Sequence, residues 1–203
     1  MQDEFIRDIT TGALHRVRGR TVSGEAVYES AVYTVGNDTW FALADAVVFA
    51  ANKQHISLFN ASGSANSIRI KKLFIINNSL ASVTGVACRF DVKQISALSV
   101  GTAVTPLSAD SGQVALPAQI TCKTGATVTE GALWFPITVA NDEVGATQAF
   151  PSSQLMAGFN WVPEGSEIKE ITLNEGEGIT VKQITSSIVG SFSWLLVFVI
   201  APN

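Results

Sequence analysis

Hydrophobic and polar residues form their clearest pattern between residues 55 and 77, where two apolar runs flank a polar turn. The first run covers residues 56–59. The turn, residues 60–67, consists of Asn, Ala, Ser and Gly, and clusters rich in Asn, Ser and Gly commonly separate strands. The pattern therefore predicts a strand, a turn and a second strand at the centre of a packed β domain.

The second run, residues 68–76, changes phase across Lys71 and Lys72. In an alternating strand, the apolar residues before these lysines share one face and those after them share the other. A bulge at the lysines would return all four to one face. The alternatives are a strand that passes between two sheets and a strand buried on both faces beyond the lysines. The four apolar residues are Ile68, Ile70, Leu73 and Ile75.

Three later segments also predict strands. Residues 86–95 predict a strand in which Val86, Cys88, Phe90 and Val92 face the core and Arg89, Asp91 and Lys93 face water. Residues 179–184 predict a strand with Ile179 and Val181 facing inward. Residues 192–200 are apolar at both parities, so this strand is either central or has one face against a subunit.

These patterns predict an all-β fold, an antiparallel β-sandwich with an extended N-terminal region. Residues 40–51 mix helix-favouring alanines with strand-favouring residues, and we interpret them as a loop with a short strand ending near Phe49. A short helix is expected at residues 152–157. The predicted units are an N-terminal arm with short β segments, residues 1–50, and a β-sandwich domain, residues 51–203.

Composition narrows the classes of function. Of the 203 residues, 47% are hydrophobic and 15% are charged, which excludes wholesale disorder. The net charge of −4 argues against a nucleic-acid-binding surface, which needs a basic footprint. The N-terminal residues lack the pattern of a secretory signal, and the most apolar run is shorter than the roughly 20 residues of a membrane-spanning helix. We expect neither a nucleic-acid nor a membrane partner.

Motifs that carry chemistry are missing from the sequence. It contains no glycine-rich nucleotide loop, no nucleophile elbow and no zinc-binding His-Glu-x-x-His. Cys88 and Cys122 match no metal-ligand spacing and are expected to be reduced thiols. Glu175 and Glu177 suggest the acid pair of a glycosidase, but they flank a glycine in a turn, where solvation is the simpler interpretation. We expect no enzymatic activity, no catalytic residue, no metal and no cofactor.

Seven residues are candidates for contact with a partner. Three arginines lie in the basic segment 14–20, where the alternatives are a contact arm for an acidic partner and a solvated strand. Two tryptophans lie in predicted loops, with buried packing as the alternative. Two aromatic residues begin the apolar C-terminal strand. The candidates are Arg16, Arg18, Arg20, Trp134, Trp161, Phe192 and Trp194.

Several turns and strands resemble those of tailed-bacteriophage virion structural proteins, in which a similar polar turn connects two strands of a β-sandwich. The chain departs from that pattern at Ala65 and Asn66, where a glycine and a basic residue are usual. The similar stretches are residues 56–64, 68–73, 101–112, 124–128, 173–179 and 191–194.

The resemblance implies a non-enzymatic component located in the virion and built on a jelly-roll-like sandwich. It would be a capsid decoration or cement protein, or a tail or fibre component. Its implied partners are copies of itself, in a trimer or other homo-oligomer, and other virion proteins such as capsid or tail proteins. The alternative is a carbohydrate- or receptor-binding module on the same sandwich, with Trp134 and Trp161 in its loops.

Overall fold

The computed structural model describes residues 3–7, 14–22, 25–30, 39–77, 86–110, 112, 115–141, 155–160, 170–184 and 190–202. The chain divides into two compact units, Met1–Asn37 and Asp38–Asn203. Every helical or strand element within the described residues is a β-strand. The predicted all-β class is therefore confirmed.

The first unit contains a three-stranded antiparallel sheet. Its strands are β1 (Asp3–Arg7), β2 (Leu14–Val22) and β3 (Glu25–Ser30). They lie in the order β1-β2-β3, so β2 is the central strand.

The second unit contains two antiparallel sheets of six strands each within its described residues. Its strands are β4 (Thr39–Val48), β5 (Gln54–Asn60), β6 (Asn66–Asn77), β7 (Val86–Ser99), β8 (Thr102–Val104), β9 (Leu107–Ser108), β10 (Ile120–Thr124), β11 (Thr127–Asn141), β12 (Leu155–Asn160), β13 (Thr172–Leu173), β14 (Glu177–Gln183) and β15 (Ser191–Pro202). Sheet I has the order β12-β6-β15-β4-β9, and β13 also pairs with β6. Sheet II has the order β11-β7-β14-β5-β10-β8.

The eight longest strands of the second unit are arranged as a jelly roll. Numbered one to eight in chain order, they lie as 6-3-8-1 in sheet I and as 5-4-7-2 in sheet II. Consecutive strands therefore alternate between the sheets, except for the fourth and fifth, β7 and β11, which pair in sheet II. Eight antiparallel strands in two such sheets are the jelly-roll form of the β-sandwich. The predicted antiparallel sandwich is confirmed, and the short strands β8, β9, β10 and β13 are additions to it.

The core lies between the two sheets, and a bulge at the lysines, one of the three arrangements that the sequence left open, helps to form it. The register of β6 against β15 shifts by one residue at Lys71, so the apolar residues on either side of the lysines all face inward. Each of these residues has at most 4% of its surface exposed. They are Ile68, Ile70, Leu73 and Ile75.

Strands β7, β14 and β15 follow their sequence patterns. The inward residues of β14, Ile179 and Val181, are buried, and β15 is central in sheet I, between β6 and β4. One outward residue of β7 differs from its prediction. Asp91 is only 6% exposed, and Arg89 Nε donates a hydrogen bond to its Oδ1 at 2.9 Å. The outer face of β7 therefore contains a buried carboxylate held by a neighbouring arginine, and is not wholly exposed to solvent.

The boundary between the two units lies at residues 37–38 and not at residue 50 as predicted. Strand β4 is the first strand of the jelly roll and pairs with β15. Its alanines, which favour a helix locally, are required by packing, because Ala44 lies directly opposite Trp194 and Ala42 opposite Leu196. Small residues at these positions leave room in the core for their large neighbours.

The prediction of a helix at residues 152–157 is wrong for residues 155–157, which the structure describes as strand. Strand β12 begins at Leu155 and pairs with β6 as far as Asn160. A strand placed beside an open sheet edge gains backbone hydrogen bonds from that edge, and this tertiary pairing outweighs a weak local preference for helix. Residues 152–154 lie outside the described residues.

Ala65 adopts a φ of +55° in the turn between β5 and β6. Residues other than glycine reach this left-handed region at a cost of roughly 1–2 kcal/mol. We expect Ala65→Gly to raise the free energy of unfolding by about 0.5–1 kcal/mol, after subtraction of the extra entropy of glycine in the unfolded chain. Urea denaturation measures this change. The control is Ala61→Gly, because Ala61 has no positive φ and the substitution should destabilise; the same sign for both would contradict the prediction.

Candidate functional site

Phe192 and Trp194 lie in the core rather than on a surface. Both belong to β15, and only 2% and 0% of their surfaces are exposed. Phe49 packs edge-on against Phe192 with ring centroids 4.7 Å apart, and Phe90 packs in the same way against Trp194 at 4.8 Å. The prediction that Phe192 and Trp194 bind a partner is therefore wrong, because the face of β15 that carries them points toward sheet II.

Arg16, Arg18 and Arg20 occupy alternate positions of β2 in the first unit. In the register, Arg18 is opposite Asp3 of β1 and Glu29 of β3. The middle arginine therefore has an acidic residue at the paired position on each side. Contact of these arginines with a partner stays a prediction.

Trp134 lies on a strand, β11, and not in a loop as predicted. It is partly buried and packs against the core. Strand β11 is at the edge of sheet II, and its register shifts between Leu133 and Phe135, next to this side chain. Contact of Trp134 with a partner stays a prediction. Trp161, the other candidate tryptophan, lies outside the described residues.

His55 is a completely buried polar residue at a bulge of β5. Its Nε2 lies 2.8 Å from Gln183 Oε1, and its Nδ1 lies 3.1 Å from Trp194 Nε1. An indole N–H can only donate, so Nδ1 of His55 accepts this hydrogen bond and carries no proton. Nε2 then carries the proton and donates it to Gln183. The two partners together select one neutral tautomer of the ring.

Burial lowers the pKa of His55 from its ordinary value of 6.5 to about 4. The hydrogen bond with Gln183 opposes this shift in pKa, and the positive charge of Lys53 adds to it. The ring also packs edge-on against Phe90, with centroids 5.0 Å apart. With no exposed surface and both nitrogens engaged, His55 is a structural group of the core and not a proton carrier for a substrate.

Glu175 and Glu177 stabilise turns at one end of the sandwich. The carboxylate of Glu175 accepts hydrogen bonds from the backbone N–H groups of Gly63 at 3.2 Å and Ala65 at 2.6 Å, which joins the β13–β14 turn to the β5–β6 turn. Glu177 accepts a hydrogen bond from the backbone N–H of Asn174 at 2.8 Å. These contacts favour the interpretation of both residues as turn-stabilising carboxylates.

The outer face of sheet II carries a cluster of paired charges, although Leu133, 45% exposed, also lies on it opposite Lys93. The carboxylate of Glu130 contacts Lys182 Nζ at 2.6 Å and Lys93 Nζ at 2.8 Å. Although partial burial acts in the opposite direction, these two ammonium groups lower the pKa of Glu130. Beside them, the hydroxyl oxygens of Ser57 and Thr180 lie 2.7 Å apart. Ser57 and Thr180 are themselves buried, so the ion pairs are the part of this face that meets water.

The outer face of sheet I carries mainly apolar residues across its strands β4, β15 and β6. Two rows of residues cross its strands as direct neighbours in the register. The first row is Leu107, Phe41, Val197 and Lys72, and the second is Leu43, Leu195 and Phe74. Leu107 is 68% exposed, Leu43 is 49% exposed and Phe41 is 38% exposed. We define the apolar face as Phe41, Leu43, Phe74, Leu107 and Leu195.

Sequence reasoning missed this surface, although β4 carries a signal for it. Within residues 40–44, alanines at positions 42 and 44 alternate with Phe41 and Leu43. Taken alone, residues 41–44 are expected to bury Phe41 and Leu43, although Trp40 shares the face of the alanines and is itself buried. The alanines face inward because Leu196 and Trp194 lie opposite them, and this leaves Phe41 and Leu43 on the outside.

Further features of the described chain bear on chemistry. No group of three or more His, Cys, Asp or Glu side chains there is placed to hold a metal ion, and no helix there has the length and apolar character to cross a membrane. Cys88 and Cys122 are buried thiols, and burial raises the pKa of Cys122 to about 12. Comparison of the chain with protein-family models, curated proteins and solved structures found no match.

Proposed function

We propose that this chain is a non-enzymatic structural protein of a bacteriophage particle, acting by self-association and by docking on other virion proteins. It would serve as a capsid decoration or cement protein, or as a tail or fibre component. The observation that carries the proposal is the jelly-roll order of the eight long strands, since jelly rolls recur in viral capsid domains. The turns that resemble those of virion proteins belong to this same unit.

The placement of polar groups supports this proposal. His55 lies in the core, Glu175 joins two turns, and Glu130 is held between two lysines. Each of these groups makes hydrogen bonds or ion pairs within the chain that stabilise the fold. Such a scaffold suits a protein that functions by binding other protein subunits. Exposed apolar patches, such as the one on sheet I, commonly mark protein–protein interfaces.

Light scattering of the purified protein tests the self-association. We expect a homo-oligomer with a dissociation constant of about 1 μM or lower, so that it persists at that protein concentration. The particle of the phage that encodes the chain should contain the protein in a constant ratio to the other virion proteins. A monomer at every concentration that is also missing from purified particles would contradict the proposal.

A carbohydrate- or receptor-binding module is the second candidate. Jelly rolls also occur in lectins, and Trp134 presents part of its ring at the edge strand β11. A glycan array decides between the candidates. Binding that disappears in Trp134→Ala would favour the module, and an array without binding would remove it.

A further inference from the structure

We propose that the apolar face of sheet I is the site at which a second copy of this chain docks, forming a two-fold symmetric dimer. This inference rests on the proposed self-association and names the surface responsible for it. The surface is the apolar face defined above: Phe41, Leu43, Phe74, Leu107 and Leu195.

The apolar face is one continuous patch. Leu107 is paired with Phe41, and Leu43 is paired with Leu195, which is paired in turn with Phe74. Directly paired residues have Cβ atoms about 5 Å apart, so their side chains are in contact range across the strands. Sheet II provides an internal comparison, because its outer face carries the ion pairs of Glu130 with Lys93 and Lys182. Sheet I therefore departs from the pattern of a sheet face that meets only water.

The outer face of sheet I, taken over five of its strands and not over the apolar face alone, approaches the size that a standard dimer interface needs. Neighbouring strands lie about 4.8 Å apart and each residue adds about 3.3 Å. Five strands, of which the longest run over ten residues or more, give a face of about 600–800 Å² by these spacings. Each partner in a standard interface contributes about 800 Å². An apolar centre with a charged rim is also the usual anatomy of such an interface.

The charges at the two ends of the apolar face complement each other. Asp45, on β4, lies beyond Leu43 at one end and accepts a hydrogen bond from Ser193 Oγ at 2.5 Å. Arg69, on β6, is exposed at the other end, where it pairs in the register with Val199. The acidic and basic residues are therefore separated both along the strands and across them, with the apolar patch between them.

This arrangement allows Asp45 and Arg69 to pair with the same two residues of a second copy. Consider a two-fold axis in the plane of the face, through its centre and perpendicular to the line that joins Asp45 to Arg69. Rotation about it places Asp45 of each copy over Arg69 of the other, and the two apolar patches meet between these pairs. A two-fold contact uses the same surface on both copies, so the charge pair is formed twice. The observations thus favour a second copy over an unrelated partner.

Sedimentation equilibrium of the full chain tests the surface. We expect the wild type to form a dimer, or a larger assembly of even number, and Leu43→Glu to raise the dissociation constant at least 30-fold, because the dimer would bury a carboxylate among apolar side chains. The matched control is Val100→Glu. Val100 is 72% exposed in the β7–β8 turn, outside the apolar face, so its replacement should leave association unchanged. Circular dichroism verifies that both variants are folded.

Charge reversal tests the symmetry. Asp45→Arg and Arg69→Asp should each weaken association about tenfold, because each places like charges together in both symmetric pairs. The double variant Asp45→Arg/Arg69→Asp should restore association to within a few-fold of the wild type, since the pairs are rebuilt with their charges exchanged. A purely stabilising role of either residue within its own copy does not predict this rescue.

The outcomes separate this inference from the proposed function. An oligomer whose dissociation constant is unchanged by Leu43→Glu overturns the apolar face as the contact and leaves self-association standing. A three-fold assembly without even-numbered species also overturns it. A protein that is monomeric in solution but present in purified particles overturns the dimer while leaving the virion proposal intact.

Discussion

Trp194→Ala is expected to lower the free energy of unfolding by about 3–5 kcal/mol, the range typical of removing a fully buried aromatic side chain. Trp194 has no exposed surface, and its ring packs against His55 and Phe90 between the two sheets. Ala44, directly opposite on β4, is too small to fill the resulting cavity. The substitution also leaves Nδ1 of His55 without its hydrogen-bond donor. Urea denaturation at neutral pH measures the loss.

Two further variants show which part of the side chain is responsible. Trp194→Phe keeps an aromatic ring but removes the indole N–H, and we expect a loss of about 1–3 kcal/mol for the unsatisfied histidine nitrogen and the smaller ring. Trp134→Ala removes a tryptophan that is only partly buried, so its effect should be smaller than that of Trp194→Ala. A larger effect at Trp134 would contradict the central position of Trp194 in the core.

Lowering the pH from 7 to 4 is expected to remove about 3 kcal/mol of stability through His55 alone. The folded protein keeps this ring neutral down to a pKa of about 4, whereas an unfolded histidine binds its proton near pH 6.5. Below pH 6.5 the unfolded state therefore binds a proton that the folded state does not, and the free energy of unfolding falls until about pH 4. The gap between the two pKa values corresponds to roughly 3.5 kcal/mol at about 1.4 kcal/mol for each pKa unit, and about 3 kcal/mol of it is lost by pH 4, where the folded histidine is half protonated.

His55→Gln provides the control for this pH dependence. Glutamine can donate an N–H to Gln183 and accept the hydrogen bond of Trp194, but it does not titrate. Urea denaturation of both proteins at several pH values between 7 and 4 should show a shallower decline for the variant. The decline common to both comes from carboxylates such as Glu130, whose pKa the neighbouring lysines lower. Parallel curves for the two proteins would refute the assignment to His55.

The sequence alone determined which residues share a face of a strand. The period of two in β7, β14 and β15 comes from backbone geometry, which sends successive side chains to opposite sides whatever the rest of the chain does. At Lys71 the sequence showed a change of phase but left three arrangements open, and the register of β6 against β15 decided for the bulge. The fold class followed from these local patterns.

Tertiary structure decided which face is inside and which strands are neighbours. Alternation placed Phe192 and Trp194 on one face of β15, but only the position of sheet II turned that face toward the core. In β4 the large residues of β15 opposite the alanines direct Phe41 outward, against the local preference. A strand signal is local, whereas burial depends on partners far apart in the sequence. The jelly-roll order, the environment of His55 and the apolar face of sheet I therefore exist only in the folded chain.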